Sequence, residues 1–311
     1  MGDINASEKL IFVPDSFLVG TRIDKYLSDE REELSRSYIQ QLIDDDLVQV
    51  NDAKIKPSYK LREGDVITLT VPEPEELLIE PENIPINIVY EDDDVVIVDK
   101  PQGMVVHPAA GHYSGTLVNA LMYHCKDSLS SINGVMRPGI VHRIDMNTSG
   151  LLVICKNNTS HKALAEQFSV HSITREYTAI VYDHFKDTEG TVDAPIARSK
   201  SDRKKMAIDQ SGRRAVTHYS VIEPLDRNFT LIKARLETGR THQIRVHMAS
   251  IKHPLLGDDV YGPKNCPFKL EGQMLHAGKL GFIHPSTGKY IEFESPLPEY
   301  FTRILNVLRK N

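Results

Sequence analysis

The stretch VPEPEELLIEPENIP, residues 71–85, constrains this chain more than any other. It holds four prolines and five glutamates. Proline lacks the amide that helix and sheet interiors require, so no regular helix or central strand can run through the whole of it. The chain is therefore expected to divide here, into a small unit at 14–75, a linker at 76–85 and a larger unit at 86–311. Charge divides in the same region. Residues 1–94 contain 9 Lys and Arg against 23 Asp and Glu, a net of −14, whereas residues 95–311 contain 28 against 20, a net of +8. A basic larger unit suits a polyanionic partner. An uneven scatter of charge is the plain alternative.

In the small unit, TRIDKYLSDE and SRSYIQQLIDDD carry apolar residues at helical spacing. These are Ile23, Tyr26 and Leu27, then Tyr38, Ile39, Leu42 and Ile43, with Ser35 as the N-cap of the second helix. LVQVNDAKI predicts two short strands around an Asn51-Asp52 turn, and KLREGDVITLTV another strand after Glu63-Gly64-Asp65. The result is a small α+β module. INIVYEDDDVVIVDKP opens the larger unit with two strands around an acidic turn. Further strands are expected near 95–99, 151–155, 176–182, 216–223, 230–237 and 290–294, and helices near 116–124, 158–170 and 240–251. Their order lacks the strict alternation of a doubly wound fold. It predicts an α+β domain with a mixed, largely antiparallel sheet flanked by helices.

No run approaches the roughly 18 apolar residues of a membrane span. The opening MGDINASEKLIF lacks the basic-then-apolar order of a signal peptide. Cys125, Cys155 and Cys266 are odd in number and far apart, which suits free thiols in a reducing compartment. A cytoplasmic location is expected.

Thirteen histidines invite a metal site. There is no HExxH and no paired CxxC, and His242 and His247 stand five apart rather than four, so no metal is expected. Ser149 lies in T-S-G-L, not in the G-x-S-x-G of a nucleophile elbow. The segment HRIDMNTSG, 142–150, is more telling. It places one carboxylate, Asp145, beside His142 and Arg143, just before the apolar run LLVICK. A carboxylate held next to a cation in a sheltered site can act as nucleophile or base, and Arg143 and Arg245 are candidate partners. The same pattern also fits an Asp that caps a turn at the amide of Asn147 or Thr148. Read alone, it fits capping better. RSKSDRKKMAIDQSGRRAVTHY, 198–219, sets seven Lys and Arg against two acids. It reads as a hairpin with a Gly212 turn facing a phosphate backbone, or as a solvated loop. ETGRTHQIRVHM brings Arg240, Arg245 and His247 near a helix start capped by Thr241, a suitable place for an anion.

Several of these segments, taken in order, resemble one family. PGIVHRIDMNTSGLLVICK is similar to the H-R-L-D-x-x-T-S-G-L-L signature of RluA-type pseudouridine synthases, with Ile144 in place of the usual leucine. REYTAIV, 175–181, resembles their R-x-Y-x-A-x-V segment. ETGRTHQIRVHMASIKHPLLGDDVYG resembles their third signature, and VDKPQGMVVHP their early K-P element. The N-terminal unit resembles the small RNA-binding module of ribosomal protein S-four. The whole arrangement looks most like the RluD branch, which modifies large-subunit ribosomal RNA.

The resemblance implies a pseudouridine synthase fold and isomerisation of uridine, without metal or cofactor. It implies that Asp145 is the catalytic nucleophile, assisting either by attack on the sugar or by way of a glycal intermediate, that Arg245 pairs with it, and that Tyr177 packs on the target base with a role in proton transfer. Arg143 matches an arginine that enters the RNA beside the target nucleotide. Arg203, Lys204, Lys205, Arg213, Arg214 and Arg240 are expected to grip RNA. In the small unit, Arg22, Lys25, Arg36 and Lys54 are expected to form an RNA-binding face with the acids turned away, although residues 14–75 carry 8 basic and 14 acidic residues. The partner implied is ribosomal RNA or a ribosomal precursor particle, with neither membrane nor DNA, and the protein is expected to be a monomer. The rival reading is a ribosome-assembly factor that binds RNA through the same fold without needing catalysis.

Overall fold

Residues 48–54 fold back on themselves at Asn51 and Asp52, whose φ angles of 50° and 61° are both left-handed. A two-residue hairpin of this hand requires that conformation at both positions. The computed structural model describes residues 8–31, 34, 36–71, 79–108, 112–126, 128–130, 132, 138–202 and 205–309. The chain separates into two compact units, Met1–Glu76 and Leu77–Asn311.

The first unit contains β1 (Glu8–Phe12), α1 (Ile23–Glu30), α2 (Arg36–Asp44), β2 (Val48–Val50), β3 (Ala53–Lys54) and β4 (Ile67–Val71). Its sheet is antiparallel in the order β1-β4-β2-β3. The helical spacing read from the sequence delivers Ile23, Tyr26, Leu27, Ile39, Leu42 and Ile43 to one core with Val48, Val50, Leu61, Ile67 and Leu69. Strand β1 was not expected. Ser35, the expected cap, lies outside the described residues.

The second unit runs through β5 (Asn87–Glu91), β6 (Val95–Lys100), α3 (Leu117–Cys125), β7 (Ser149–Cys155), α4 (Asn158–Ser169), β8 (Thr174–Tyr182), β9 (Glu189–Asp193), β10 (Ile196–Arg198), β11 (Met206–Ile208), β12 (Val216–Leu225), β13 (Phe229–Leu236), α5 (Gln243–Ser250), β14 (Leu275–Ile283), β15 (Tyr290–Glu294) and α6 (Glu299–Leu308). Nine strands form one mixed sheet in the order β5-β6-β7-β14-β8-β13-β12-β9, with β15 beside β14. Within this sheet only β7 and β14 pair in parallel, and the other pairs are antiparallel.

Side chains alternate across this sheet, and both faces are covered. Val96, Val98, Leu152 and Ile154 join Leu117, Leu121, Ile244 and Met248 on one face. Val95, Ile97, Leu151 and Val153 join Leu164 and Phe282 on the other. A strand buried on both sides reads as an unbroken apolar run, which is why VVIV and LLVIC carry no alternation. Residues 79–84 belong to this unit. Ile79 is buried in the first of these clusters, Asn119 Nδ2 donates to the Glu80 carbonyl at 2.8 Å, and the Glu82 amide donates to the Asn119 carbonyl at 3.0 Å. Among the described residues, no helix is long and apolar enough to cross a membrane.

Candidate active site

Asp145 stands on the turn that leads into β7. The turn is closed by its backbone, with the Thr148 amide donating to the Asp145 carbonyl at 3.0 Å. The carboxylate is thus not the turn's cap, which overturns the capping reading. The loop is tied from several sides. Lys100 is fully buried and its Nζ donates to the carbonyls of Pro101, Met104 and Met146 at 2.8, 2.8 and 3.0 Å. Burial pushes the Lys100 amine down to about 7. The three carbonyls work the other way, since only the ammonium form has three protons to give. The Gly103 amide also donates to the Met146 carbonyl at 3.0 Å, and Gln273 Nε2 to Thr148 Oγ1 at 3.0 Å. Gly150 completes the arrangement, with φ 114°. A Cβ there would stand 2.3 Å from the Ala277 carbonyl oxygen, so only glycine lets β14 come this close.

Arg245, on the first turn of α5, reaches this loop. Its Nη1 donates to Asp145 Oδ2 at 3.0 Å. The other side of its guanidinium forks onto Asp258, with Nε to Oδ2 at 2.7 Å and Nη2 to Oδ1 at 2.9 Å. The side chain of Asp258 is fully buried and that of Arg245 nearly so, while Asp145 is partly open. Burial opposes charge on Asp258. The Arg245 bonds and the amides of Tyr261 and Val260 outweigh it and hold the carboxyl below the usual range. Burial likewise opposes the Arg245 cation, and the bonds and charges of Asp258 and Asp145 more than reverse it. The Tyr261 ring covers the guanidinium at 5.2 Å.

A cavity of about 590 Å³ opens above Asp145, within the ordinary size for a small-molecule or nucleoside site. Tyr177, projecting from β8, lines it and is 7% exposed. Burial raises the Tyr177 pKa, and the Asp145 charge adds to this against Arg175. Ile144, Leu236, Ile244 and Leu275 supply apolar wall. Arg143, Arg175, Arg213, Arg240 and Arg245 also line the cavity, five guanidiniums against the single carboxylate of Asp145. Such a lining favours an anionic ligand. Arg143 is exposed, and its Nη1 donates to His107 Nε2 at 3.4 Å.

Some other expected residues are placed differently. The basic segment pairs β10 with β11 in antiparallel fashion and, as expected, turns at Gly212, whose amide donates to the Asp209 carbonyl at 2.8 Å. A Cβ at Gly212 would meet the Ile196 carbonyl carbon at 2.5 Å. Lys205 donates to the Val260 carbonyl at 3.0 Å, and Arg214 to Glu237 at 3.2 Å, so both are engaged within the protein. Arg203 and Lys204 lie outside the described residues. Thr241 does not cap α5. The N-cap is His242, in a left-handed conformation, and the approach is fixed by Gln243 Oε1, which accepts from Thr238 Oγ1 and the Arg240 amide at 2.8 and 2.9 Å. His247 is buried away from the cavity, between Thr217 and the Ala194 carbonyl. His142 accepts from the Val153 amide at 3.0 Å and stacks on Phe168; burial pushes it down to about 3, which keeps it neutral.

In the first unit the acids are not all turned away. Arg22 and Arg36 both bind the buried carboxylate of Asp24, at 2.9 and 3.0 Å, and Lys54 pairs with Asp46. Lys25 is exposed. Ser149 Oγ lies 2.9 Å from His276 Nδ1, but it is 2% exposed and its histidine turns to the Ser295 carbonyl, a structural link across β7 and β14. Among the described residues, two groupings of possible metal ligands, Glu91–His124–Cys125 and Asp92–Asp94–His284, have their carboxylates engaged by Lys156, His124, Tyr90, Asn157 and His284.

Sequence reasoning missed Asp258, Lys100 and His242. The first two sit inside the motifs GDDVYG and VDKP, as one of two adjacent acids and as a lone lysine, each close to an apolar run. That signal points to a buried charge needing a partner.

A sheltered carboxylate, an arginine fork and a basic cavity on a mixed sheet define a site for acting on a phosphate-bearing substrate. The profile of the RNA pseudouridylate synthase family matches residues 94–250, and that of the S4 domain matches residues 21–67. The chain is 53% identical over 290 residues to an uncharacterized RNA pseudouridine synthase, YlyB, of Bacillus subtilis, covering 93% of this chain and 95% of the relative. It is 49% identical to ribosomal large subunit pseudouridine synthase D of Zymomonas mobilis, covering 94% and 95%. The fold is shared with the solved structure of human RNA pseudouridylate synthase domain containing 1, at a TM-score of 0.57 and 22% identity over 77% of this chain and 98% of that one. The chain belongs to the RNA pseudouridylate synthase family, and is an isomerase acting on RNA with an S4 domain near its N-terminus.

Proposed function

We propose that this isomerase converts uridines of large-subunit ribosomal RNA to pseudouridine, with Asp145 as its nucleophile. The observation that carries this reading is the Asp145–Arg245–Asp258 arrangement at the floor of a basic cavity. In the reaction the N1–C1′ bond of uridine breaks, the uracil turns, and C5 joins C1′. The proton on C5 leaves and N1 gains one, so composition is unchanged and no redox partner is required. A carboxylate oxygen supplies the electron pair for this exchange at the sugar. Tyr177 offers a flat, neutral face to the base and a hydroxyl near the reacting carbons. Arg143, exposed at the mouth, is placed to fill the gap left by a nucleotide drawn from its stack, an extraction that costs a few kcal/mol. The large subunit as target is supported by the relatives named ribosomal large subunit pseudouridine synthase D, from Zymomonas mobilis and Haemophilus influenzae.

Pseudouridine mapping of ribosomal RNA from cells with the gene, without it, and with Asp145→Asn tests both parts. The expected result is loss of defined large-subunit positions in the last two. Loss confined to other RNAs would overturn the target, and full modification by the Asn variant would overturn the nucleophile.

A further inference from the structure

His242 faces the same cavity, and its backbone conformation calls for an explanation. At φ 56° and ψ 21° it is left-handed, a region that side chains other than glycine adopt infrequently and often at functional sites. It occupies the N-cap of α5, yet its side chain makes no capping bond. The imidazole crosses instead to Asp145, where Nε2 lies 3.9 Å from Oδ1. That is the carboxylate oxygen Arg245 does not hold.

The far side of the ring is fixed. His242 Nδ1 lies 2.9 Å from the Tyr261 hydroxyl, which also accepts the Met206 amide at 2.8 Å. With that lone pair used, the phenolic proton is available to Nδ1. A neutral ring accepting at Nδ1 carries its own proton on Nε2. The N–H then points at Asp145. Burial lowers the His242 pKa more than the Asp145 charge raises it, so the neutral ring is the form at work.

We propose that His242, held by Tyr261, is a positioning residue for Asp145 that offers Nε2–H to Oδ1 and sets the rotation of the carboxylate. Arg245 grips Oδ2 by one nitrogen, and a carboxylate held at one oxygen can turn about that contact. A second donor at Oδ1 removes this freedom. Catalytic hydrogen bonds are often long before substrate arrives and close in the complex, and 3.9 Å leaves that closure to be made. Met206 begins β11, so the basic hairpin is linked through Tyr261 and His242 to the carboxylate. The inference rests on the reading of Asp145 as the reacting group.

The test uses single-turnover rates and dissociation constants on an unmodified large-subunit ribosomal RNA transcript, with thermal melting of each variant. His242→Asn keeps a polar atom near Nδ1 for Tyr261 and tolerates the left-handed backbone, but reaches no farther. His242→Gln places its amide nitrogen near the Nε2 position. The Asn variant is expected to lower the rate up to about 100-fold, the scale of a misplaced reacting group, with RNA affinity and melting unchanged. Gln should restore much of the rate. Tyr261→Phe should slow the wild-type chain and add nothing to the Asn variant. It removes a single oxygen, so it carries the test should a His242 variant fail to fold. A wild-type rate for the Asn variant, equal slowing by Asn and Gln, additive slowing by Tyr261→Phe, or a loss confined to affinity would each overturn the proposal. Asp145→Asn is measured beside them. If it stays active, the reading of Asp145 itself fails; if it is inactive while the His242 variants run at full rate, only this inference fails.

Discussion

Arg245 gives two hydrogen bonds to Asp258 and one to Asp145. The guanidinium is thus anchored by a fully buried carboxylate and lends its remaining reach to the one that lines the cavity. Removing charge at Asp145 therefore leaves Arg245 in place, while removing Asp258 sets it adrift.

Asp145→Asn is expected to abolish pseudouridine formation without unfolding the protein. Asparagine keeps the shape and can still accept from Arg245 Nη1, and the Asp258 fork is untouched. Conversion of uridine by the purified variant at a near wild-type rate would contradict the assignment, and melting temperature checks the fold.

Arg245→Ala should remove activity and stability together. It strips a buried carboxylate, Asp258, of its cation, and breaking such a pair typically costs about 3–5 kcal/mol. Arg245→Lys should restore little, because a point charge cannot fork onto Asp258 and reach Asp145 as well. Asp258→Asn should slow the reaction even though it lies outside the cavity lining. A denaturation midpoint unchanged in Arg245→Ala would refute the pairing.

Acid should destabilise the second unit through His142. Its folded pKa, about 3, lies below the ordinary 6.5, so the unfolded chain binds the extra proton first. The stability this neutral ring contributes is whole above pH 6.5 and is lost as pH falls toward 3, by at most about 1.4 kcal/mol per pH unit. His161, His247 and His276, also lowered by burial, act in the same direction. His142→Gln keeps an acceptor for the Val153 amide without titrating. Its stability should fall less steeply between pH 6.5 and 4 than the wild type's, and parallel slopes would count against this account.

A chain beginning near Leu77 should fold, since the first unit has its own core and Ile79 belongs to the second. Beginning at Pro81 should cost stability, because Ile79 and the Glu80 carbonyl are lost. Loss of the first unit should act on RNA affinity and choice of site, because two linked contacts select within a large RNA better than one. The comparison is binding and turnover on a short stem-loop and on the intact subunit, with the larger defect expected on the subunit. Equal performance on both would leave the S4 domain without a part in selection. With Arg22, Arg36 and Lys54 paired to acids, that domain's attraction for phosphate should rest on few free charges and fall little with salt.

The strands that flank Asp145 were legible because VVIV and LLVIC are apolar on both faces. Strand β14, at the centre of the sheet, was not. Gly278 and Gly281 interrupt its pattern. Helix α6 was not expected either: Phe301, Ile304, Leu305 and Leu308 are buried at helical spacing, but Pro296 and Pro298 on the approach masked its start. At the site, motifs far apart in sequence met in one cavity. Asp258 escaped because its task is to hold another side chain, and a residue that acts through a partner leaves no mark until the partner's position is known. The Asp145 pattern was ambiguous for a similar reason. Whether a carboxylate bonds its own turn or a distant arginine depends on a helix a hundred residues away.

The parallel contact of β7 with β14, at Ser149–Gly150 and His276–Ala277, also sets a clock. Strand β14 lies between β7 and β8, so the sheet has a vacant slot until residues 275–283 exist. Chains emerge N-terminal end first, and the first unit can close its own core long before that slot is filled. Arg245 and Asp258 also emerge after Asp145. A growing chain can thus display a finished N-terminal domain while its catalytic centre is still unassembled, and a nonsense mutation anywhere before β14 should yield a fragment with no turnover at all.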